Sequence, residues 1–317
     1  MDAGVVCGRT GEIMFIFDKA PFPSSHASTL VEVTPGHLMA AWFGGTGEGK
    51  KDVQIWASDF DGTKWTPPQV LGSENGQPCW NPVLFVTPKN DLVLWYKTGP
   101  SPQQWTGYVR RSRDKGKTWS TPQALPASFF GPVRAKPFAL KDDTILAPTS
   151  VESHRVWTPF VDRSNDDGVT WLRSNDFGVK DKPGQIQPTI FESKPGTLVA
   201  LMRSKDPKFI CRSVSTDNGV TWSIAQPTTL PNNNAGIDVV TAKDGAVWLI
   251  HNPVAIGRFP LRLSKSVDGG ATWEKVTDLE TEAGEFSYPA LIAGSDGKLH
   301  MTYTWNRTHI KYVVQPV

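Results

Sequence analysis

The 317 residues carry 33 Lys and Arg against 31 Asp and Glu, too even a balance for a dedicated nucleic-acid or anionic-membrane binder, whose affinity comes from a basic excess. No apolar run approaches the roughly 18 residues of a membrane span. The first residues also lack the basic start and apolar core of a signal peptide. Read as a natural start, this implies a cytoplasmic protein; a chain trimmed of its leader would look the same and be secreted or periplasmic. Cys7, Cys79 and Cys211 are odd in number and far apart, with no CxxC spacing, so they read as buried thiols and not as a disulfide framework or zinc site.

Along the chain, short β-branched or aromatic runs alternate with turn residues. The run at 13–17 comes first, then TLVEV (29–33), HLMAAWF (37–43), DVQIWAS (52–58) and TKWTPPQ (63–69). No stretch sustains a 3.6-residue period, so little helix is expected. A motif then recurs: SRDKGKTW at 112–119, SNDDGVTW at 164–171, STDNGVTW at 215–222 and SVDGGATW at 266–273, with a degenerate SDFDGTKW ending at Trp65. The closing tryptophans, 65, 119, 171, 222 and 273, step by 54, 52, 51 and 51 residues. Four strands per unit of about 50 residues is the signature of a propeller blade. The expected fold is therefore all-β, a six-bladed β-propeller forming a single domain over 1–317. Residues 286–317 make an incomplete sixth blade, and the run at 13–17 supplies its outer strand, which also hides a sheet edge. The motif is structural: Asp caps turn amides, Gly takes a left-handed backbone, and Trp packs beneath the hairpin.

Superposing the repeats points to a site. Each unit opens with a polar residue ahead of an apolar strand: His26, Asn81, Lys136, Gln187, Asp238 and Tyr288. Six different polar chemistries at one repeat position suggest function, with polar plugging of a channel as the alternative. Counting along the second strands gives Phe43, Lys97, Ser150, Arg203, Asn252 and Thr304 at the same rim. Lys97, Lys136, Arg203 and nearby Arg258 make that rim cationic in a nearly neutral protein, which predicts an anionic ligand. Arginine suits a carboxylate through its two-pronged donor geometry.

The repeated motifs resemble the Asp boxes of sialidases and other BNR-repeat proteins over nearly the full length. The resemblance implies a carboxylate-binding arginine set, a Tyr nucleophile paired with Glu, and an acid/base Asp. Tyr288 in SYPAL, Arg203 in ALMRS and Arg258 in GRFPLRLSKSVDGG match family positions. Others depart: His26-Ala-Ser replaces an opening Arg-Ile-Pro, Gln185 in QIQPTIFE stands for the Glu, and the acid falls in GTGEGKKD, with Glu48 first and Asp52 in reserve. The chain is thus similar to the divergent, sialidase-like BNR branch.

Other signals are set aside. GGTGEGKK lacks the Ser or Thr of a P-loop and runs into a strand. Asn306-Arg-Thr matters as a sequon only on secretion. The histidines lack metal-ligand spacing, so no metal or cofactor is expected. Glu152 faces the rim or partners a Lys or Arg. The leading function is an exo-acting glycoside hydrolase on an acidic glycan, working as a monomer. Arg203 and Arg258 would bind the carboxylate, Tyr288 attack, and Glu48 protonate the leaving group, with the other ring and rim residues binding substrate. Asp238, Glu152 or Glu285 could take the Tyr288 proton. The alternatives are a uronate lyase, with His26 or Tyr288 abstracting a proton, and a non-catalytic glycan binder.

Overall fold

The computed structural model describes residues 12–74, 76–182, 184–206 and 208–317. Cys7 and the leader reading of the first eleven residues fall outside them. Six four-stranded antiparallel sheets form the blades of a propeller, with no helix among the described residues. The inner strands of blades one to six are Ser24–Thr34, Cys79–Val86, Phe138–Ala139, Gln185–Lys194, Asp238–Thr241 and Phe286–Ala293. Ile13–Phe15 pairs with His309–Pro316 and completes blade six, so the chain closes on itself as expected.

Each Asp box joins the third strand of a blade to the fourth. In blade two, Asp114 accepts from the Thr118 amide (2.8 Å) and the Ser112 hydroxyl (2.8 Å), Gly116 sits at φ +92, and the Trp119 indole donates to the Gly116 carbonyl at 3.1 Å. The degenerate copy moves the cap along the chain: Asp61 bonds the amides of Thr63 and Lys64, both at 2.9 Å. The apolar core is a ring of seams between blades. Between blades one and two Ile55 and Ala41 meet Leu84 and Tyr96; between five and six Leu263 and Ile250 meet Met301 and Tyr303. The axis is left for polar side chains. Cys79 and Cys211 are buried free thiols, pushed up to about 12 and about 11 by burial.

The strand register revises the ring of opening residues. Blades one, two, four and six each carry a β-bulge directly after the pairs His26–Phe43, Trp80–Lys97, Ile186–Arg203 and Ser287–Thr304. The bulged residue has a left-handed backbone in each: Ala27 (φ 56), Asn81 (φ 39), Gln187 (φ 57) and Tyr288 (φ 52). Asn81, Gln187 and Tyr288 therefore share one level, whereas His26 lies one residue earlier. Lys136 and Asp238 lie on a deeper level with Thr29 and Thr189. The pairing Asp238–Ile250 corresponds to Thr189–Leu201, and Thr189 accepts from the Val239 amide as Thr29 accepts from that of Leu84. At the level of Tyr288, blades three and five place Arg134 and Gly236. A bulge adds a residue to one strand only, so a constant count from the apolar run slips in blades that differ there.

Candidate active site

Tyr288 is the centre of the channel mouth. Arg203, at the end of Thr197–Ser204, donates through Nη1 to the Tyr288 hydroxyl and to Gln187 Oε1 (3.0 Å), while its Nε donates to Asn234 Oδ1 at 3.1 Å. Three guanidinium carbons surround the phenol ring: Arg203 and Arg258 at 5.4 Å and Arg134 at 5.7 Å from its centroid. Arg134 reaches from blade three across the axis to the carbonyl of Pro289. It needs Gly236 there, since a Cβ on that residue would stand 2.7 Å from Arg134 Nε. Arg258, on the loop between Val247–His251 and Leu261–Ser266, donates to Glu285 and Ser287, both at 2.9 Å. Arg307, in the last hairpin, donates to the same Glu285 oxygen at 2.6 Å.

His26 packs against the phenol with ring centroids 4.3 Å apart. Its Nδ1 bonds Thr304 Oγ1 at 2.9 Å, and its Nε2 is buried with no partner among the described residues. Burial first, then Arg307, Arg258, Arg134 and Arg203, hold its pKa well below the usual imidazole range, so the ring is neutral.

The carboxylates sort by what they touch. Glu48 accepts from Arg307 at 2.6 Å. Asp52 accepts from the Thr46 amide (2.8 Å) and hydroxyl (2.5 Å), and chiefly that hydroxyl lowers its pKa; it staples its own loop. Asp238 is 2% exposed and takes bonds from Lys136 (2.9 Å), Thr189 (2.8 Å) and the Leu291 amide (2.8 Å). That pair plugs the channel one layer beneath Tyr288, and burial lowers the Lys136 pKa against the pull of Asp238. Glu152 ends Ile145–Glu152, is 9% exposed, and its carboxyl makes no hydrogen bond or ion pair among the described residues.

The remaining expected residues divide between mouth and wall. Gln187 belongs to the Tyr288 cluster through Arg203. Gln185 does not: its amide bonds the carbonyls of Lys182 (2.8 Å) and Asp206 (2.6 Å) and the Val179 amide (2.8 Å), fixing a loop. Asn252 ties blade five to blade six through the Phe286 carbonyl at 2.9 Å. Lys97 is fully buried against the carbonyls of Asn81 (3.5 Å) and Pro132, and burial pulls its pKa down to about 7. Asn81 shares the Tyr288 level and is itself nearly buried. Sequence reasoning missed Arg134, Arg307 and Asn234. Only Arg134 left a signal, as an arginine two residues ahead of Lys136.

Guanidinium groups around a phenol, beside a neutral imidazole, can bind a carboxylate and stabilise charge developing on oxygen. A BNR repeat-like domain matches residues 36–301. The chain belongs to the BNR repeat-like family. Within that family's reach, a sialidase from Bacteroides fragilis is 28% identical over 268 residues, which is 77% of this chain and 48% of the relative. The chain thus spans about half the length of that relative. Among solved structures, a protein of unknown function from Dyadobacter fermentans superposes with a TM-score of 0.81 at 18% identity, covering 96% of this chain and 97% of that one. NanB sialidase from Streptococcus pneumoniae gives 0.80 at 12% identity, covering 96% and 70%. Trypanosoma rangeli sialidase in complex with sialic acid gives 0.74 at 16% identity, covering 96% and 59%. At these identities the structures establish a sialidase-like propeller fold. Among the described residues there is no group of three metal-ligating side chains and no helix long and apolar enough to cross a membrane.

Proposed function

We propose that this BNR-repeat propeller is an exo-acting glycoside hydrolase for a carboxylate-bearing sugar at a glycan terminus. The observation that carries the reading is the arginine cluster around Tyr288, with Arg203 bonded to its hydroxyl. Arg203 and Arg258 bind the sugar carboxylate, and Tyr288 Oη attacks the anomeric carbon. A carboxylate nucleophile would be repelled by the carboxylate that the anomeric centre already bears, whereas a phenol is not. An ordinary phenol is protonated at neutral pH, so its proton needs an acceptor. Gln187 cannot accept it, Asp238 is saturated, Glu285 is occupied by Arg258 and Arg307, and Glu152 stands on blade three across the ring, so the acceptor in this reading is neutral His26, packed on the ring. The sialidase names of the relatives agree with an acidic glycan as substrate.

A second reading draws on the same His26. With an unpartnered Nε2 beside Tyr288, it could instead remove the proton next to a uronate carboxylate and start a β-elimination. Incubating the protein with sialosides and with uronate-containing oligosaccharides separates the two. Hydrolysis releases the free acidic sugar; elimination leaves an unsaturated product that absorbs in the ultraviolet. Binding without either product would make the propeller a glycan-binding module and end both catalytic readings.

A further inference from the structure

A hydrolase needs a proton for the leaving oxygen, and most carboxyls at this mouth are already taken up by other donors. Glu48 is ion-paired with Arg307, Glu285 with Arg258 and Arg307, and Asp52 is held by Thr46. Glu152 differs: it is nine-tenths buried and unpaired. Burial pushes its carboxyl up, Arg203 draws it back, and Glu48 pushes it up again. The net direction is upward, so it keeps its proton to higher pH than an ordinary glutamate.

Its position is also suitable. Glu152 lies two residues beyond Ser150 and so on the same face of the strand, at the rim end of blade three. In a six-bladed ring, blade three stands across the axis from blade six, which carries Tyr288. Trp157, the cross-strand partner of Glu152, lies against Arg203 at 5.8 Å, and Arg203 is bonded to Tyr288. A sugar seated on Arg203 and Arg258 therefore has the phenol on one side and this carboxyl on the other. Displacement with a covalent intermediate requires that arrangement, because the leaving oxygen departs opposite the attacking one.

Resting on the hydrolase reading, we propose that Glu152 is the acid/base catalyst of this site. Its O–H bond breaks as its proton passes to the glycosidic oxygen; the bond from that oxygen to the anomeric carbon breaks; Tyr288 Oη bonds the carbon and releases its proton to His26. In the second step water gives a proton to the Glu152 carboxylate and its oxygen to the anomeric carbon. The bond to Tyr288 then breaks, and the phenolate recovers its proton from His26.

The test compares wild type and Glu152→Gln on two glycosides of sialic acid, one with p-nitrophenol and one with lactose as leaving group. Nitrophenolate leaves without a proton, so kcat/KM, which reports the steps up to formation of the Tyr288 adduct, should fall less than about tenfold on it in the variant and about 10²–10⁴-fold on the lactoside. The alkaline limb of the lactoside pH profile should disappear. Retained nitrophenyl turnover also shows that the variant is folded. Equal losses on both substrates, or an unchanged lactoside rate, overturn the role of Glu152 and leave the hydrolase reading standing. Wild type that cleaves neither glycoside overturns the hydrolase reading on this sugar, and the acid with it.

Discussion

Arg203 donates from one nitrogen to both the Tyr288 hydroxyl and Gln187 Oε1. The phenol oxygen is thereby held by a cation, with an amide where a carboxylate would act as base. Substituting Tyr288→Phe keeps the ring among three guanidinium groups and removes only the oxygen. Near-native thermal stability with at least about a hundredfold loss of turnover is the expected result. Full activity in the variant would eliminate Tyr288 from both the hydrolase and the lyase schemes.

The arginines should act through geometry as well as charge. Arg203→Lys keeps the charge but loses the fork that reaches Asn234 and Gln187 together. Arg258→Ala removes one donor while Arg307 still holds Glu285. Each should weaken an acidic ligand by about 1.5–3 kcal/mol, the worth of a charge-assisted bond. Calorimetric titration alongside thermal unfolding reads this directly. Unchanged affinity in a folded variant would make the residue part of the wall.

The fold was legible because five of the six blades repeat one physical problem, a tight turn solved by Asp, Gly and Trp, at nearly constant spacing. The site was legible only in part. Tyr288, Gln187, Arg203 and Arg258 came from blade equivalence and family resemblance together. The rest was hidden by taking a polar residue ahead of each apolar run: in blade one the bulge position is the apolar Ala27, so His26 was counted one residue too early, and in blade three the count fell on Lys136, two residues beyond Arg134. Lys136 and Asp238 read as rim residues, but they neutralise one another below it. Arg307 enters from the connection between the second and third strands of blade six, whose length differs from blade to blade, so spacing could not have found it.

The Asp boxes predict loss of stability in acid. The Thr118 hydroxyl holds Asp114 down to about 2, and that of Thr63 does the same for Asp61. For Asp166 burial pushes upward, but Thr170 outweighs it, again to about 2. An unfolded aspartate titrates near 3.9. The unfolded chain therefore binds protons first as pH falls, and the stability contributed above about pH 4 disappears towards about pH 2. Urea midpoints should drop over that window. Replacing Asp114, Asp166, Asp217 and Asp268 together by Asn should flatten the drop while lowering stability at neutral pH. An equally steep acid drop in the quadruple variant would assign it to other groups.

Lys97 predicts a dependence of opposite origin at alkaline pH. Its ammonium is fully buried, donates among the described residues only to the carbonyls of Asn81 and Pro132, and is pulled to about 7 by burial. An unfolded lysine titrates near 10.4. Below about pH 7 both states carry the charge and the folded state bears the whole desolvation penalty. Between about 7 and 10.4 the unfolded chain binds a proton that the folded one does not, so this residue makes stability rise with pH. Lys97→Met removes the penalty and leaves two carbonyls without a donor, a cost that does not change with pH. The stability of the variant relative to wild type should therefore be most favourable near about pH 6 and decline towards about pH 10. Urea unfolding of both proteins at the two pH values measures the gap. A gap that stays flat would mean that Lys97 keeps its ordinary proton affinity and reaches water or an anion in the folded protein. In that case it would return to the ligand-binding rim.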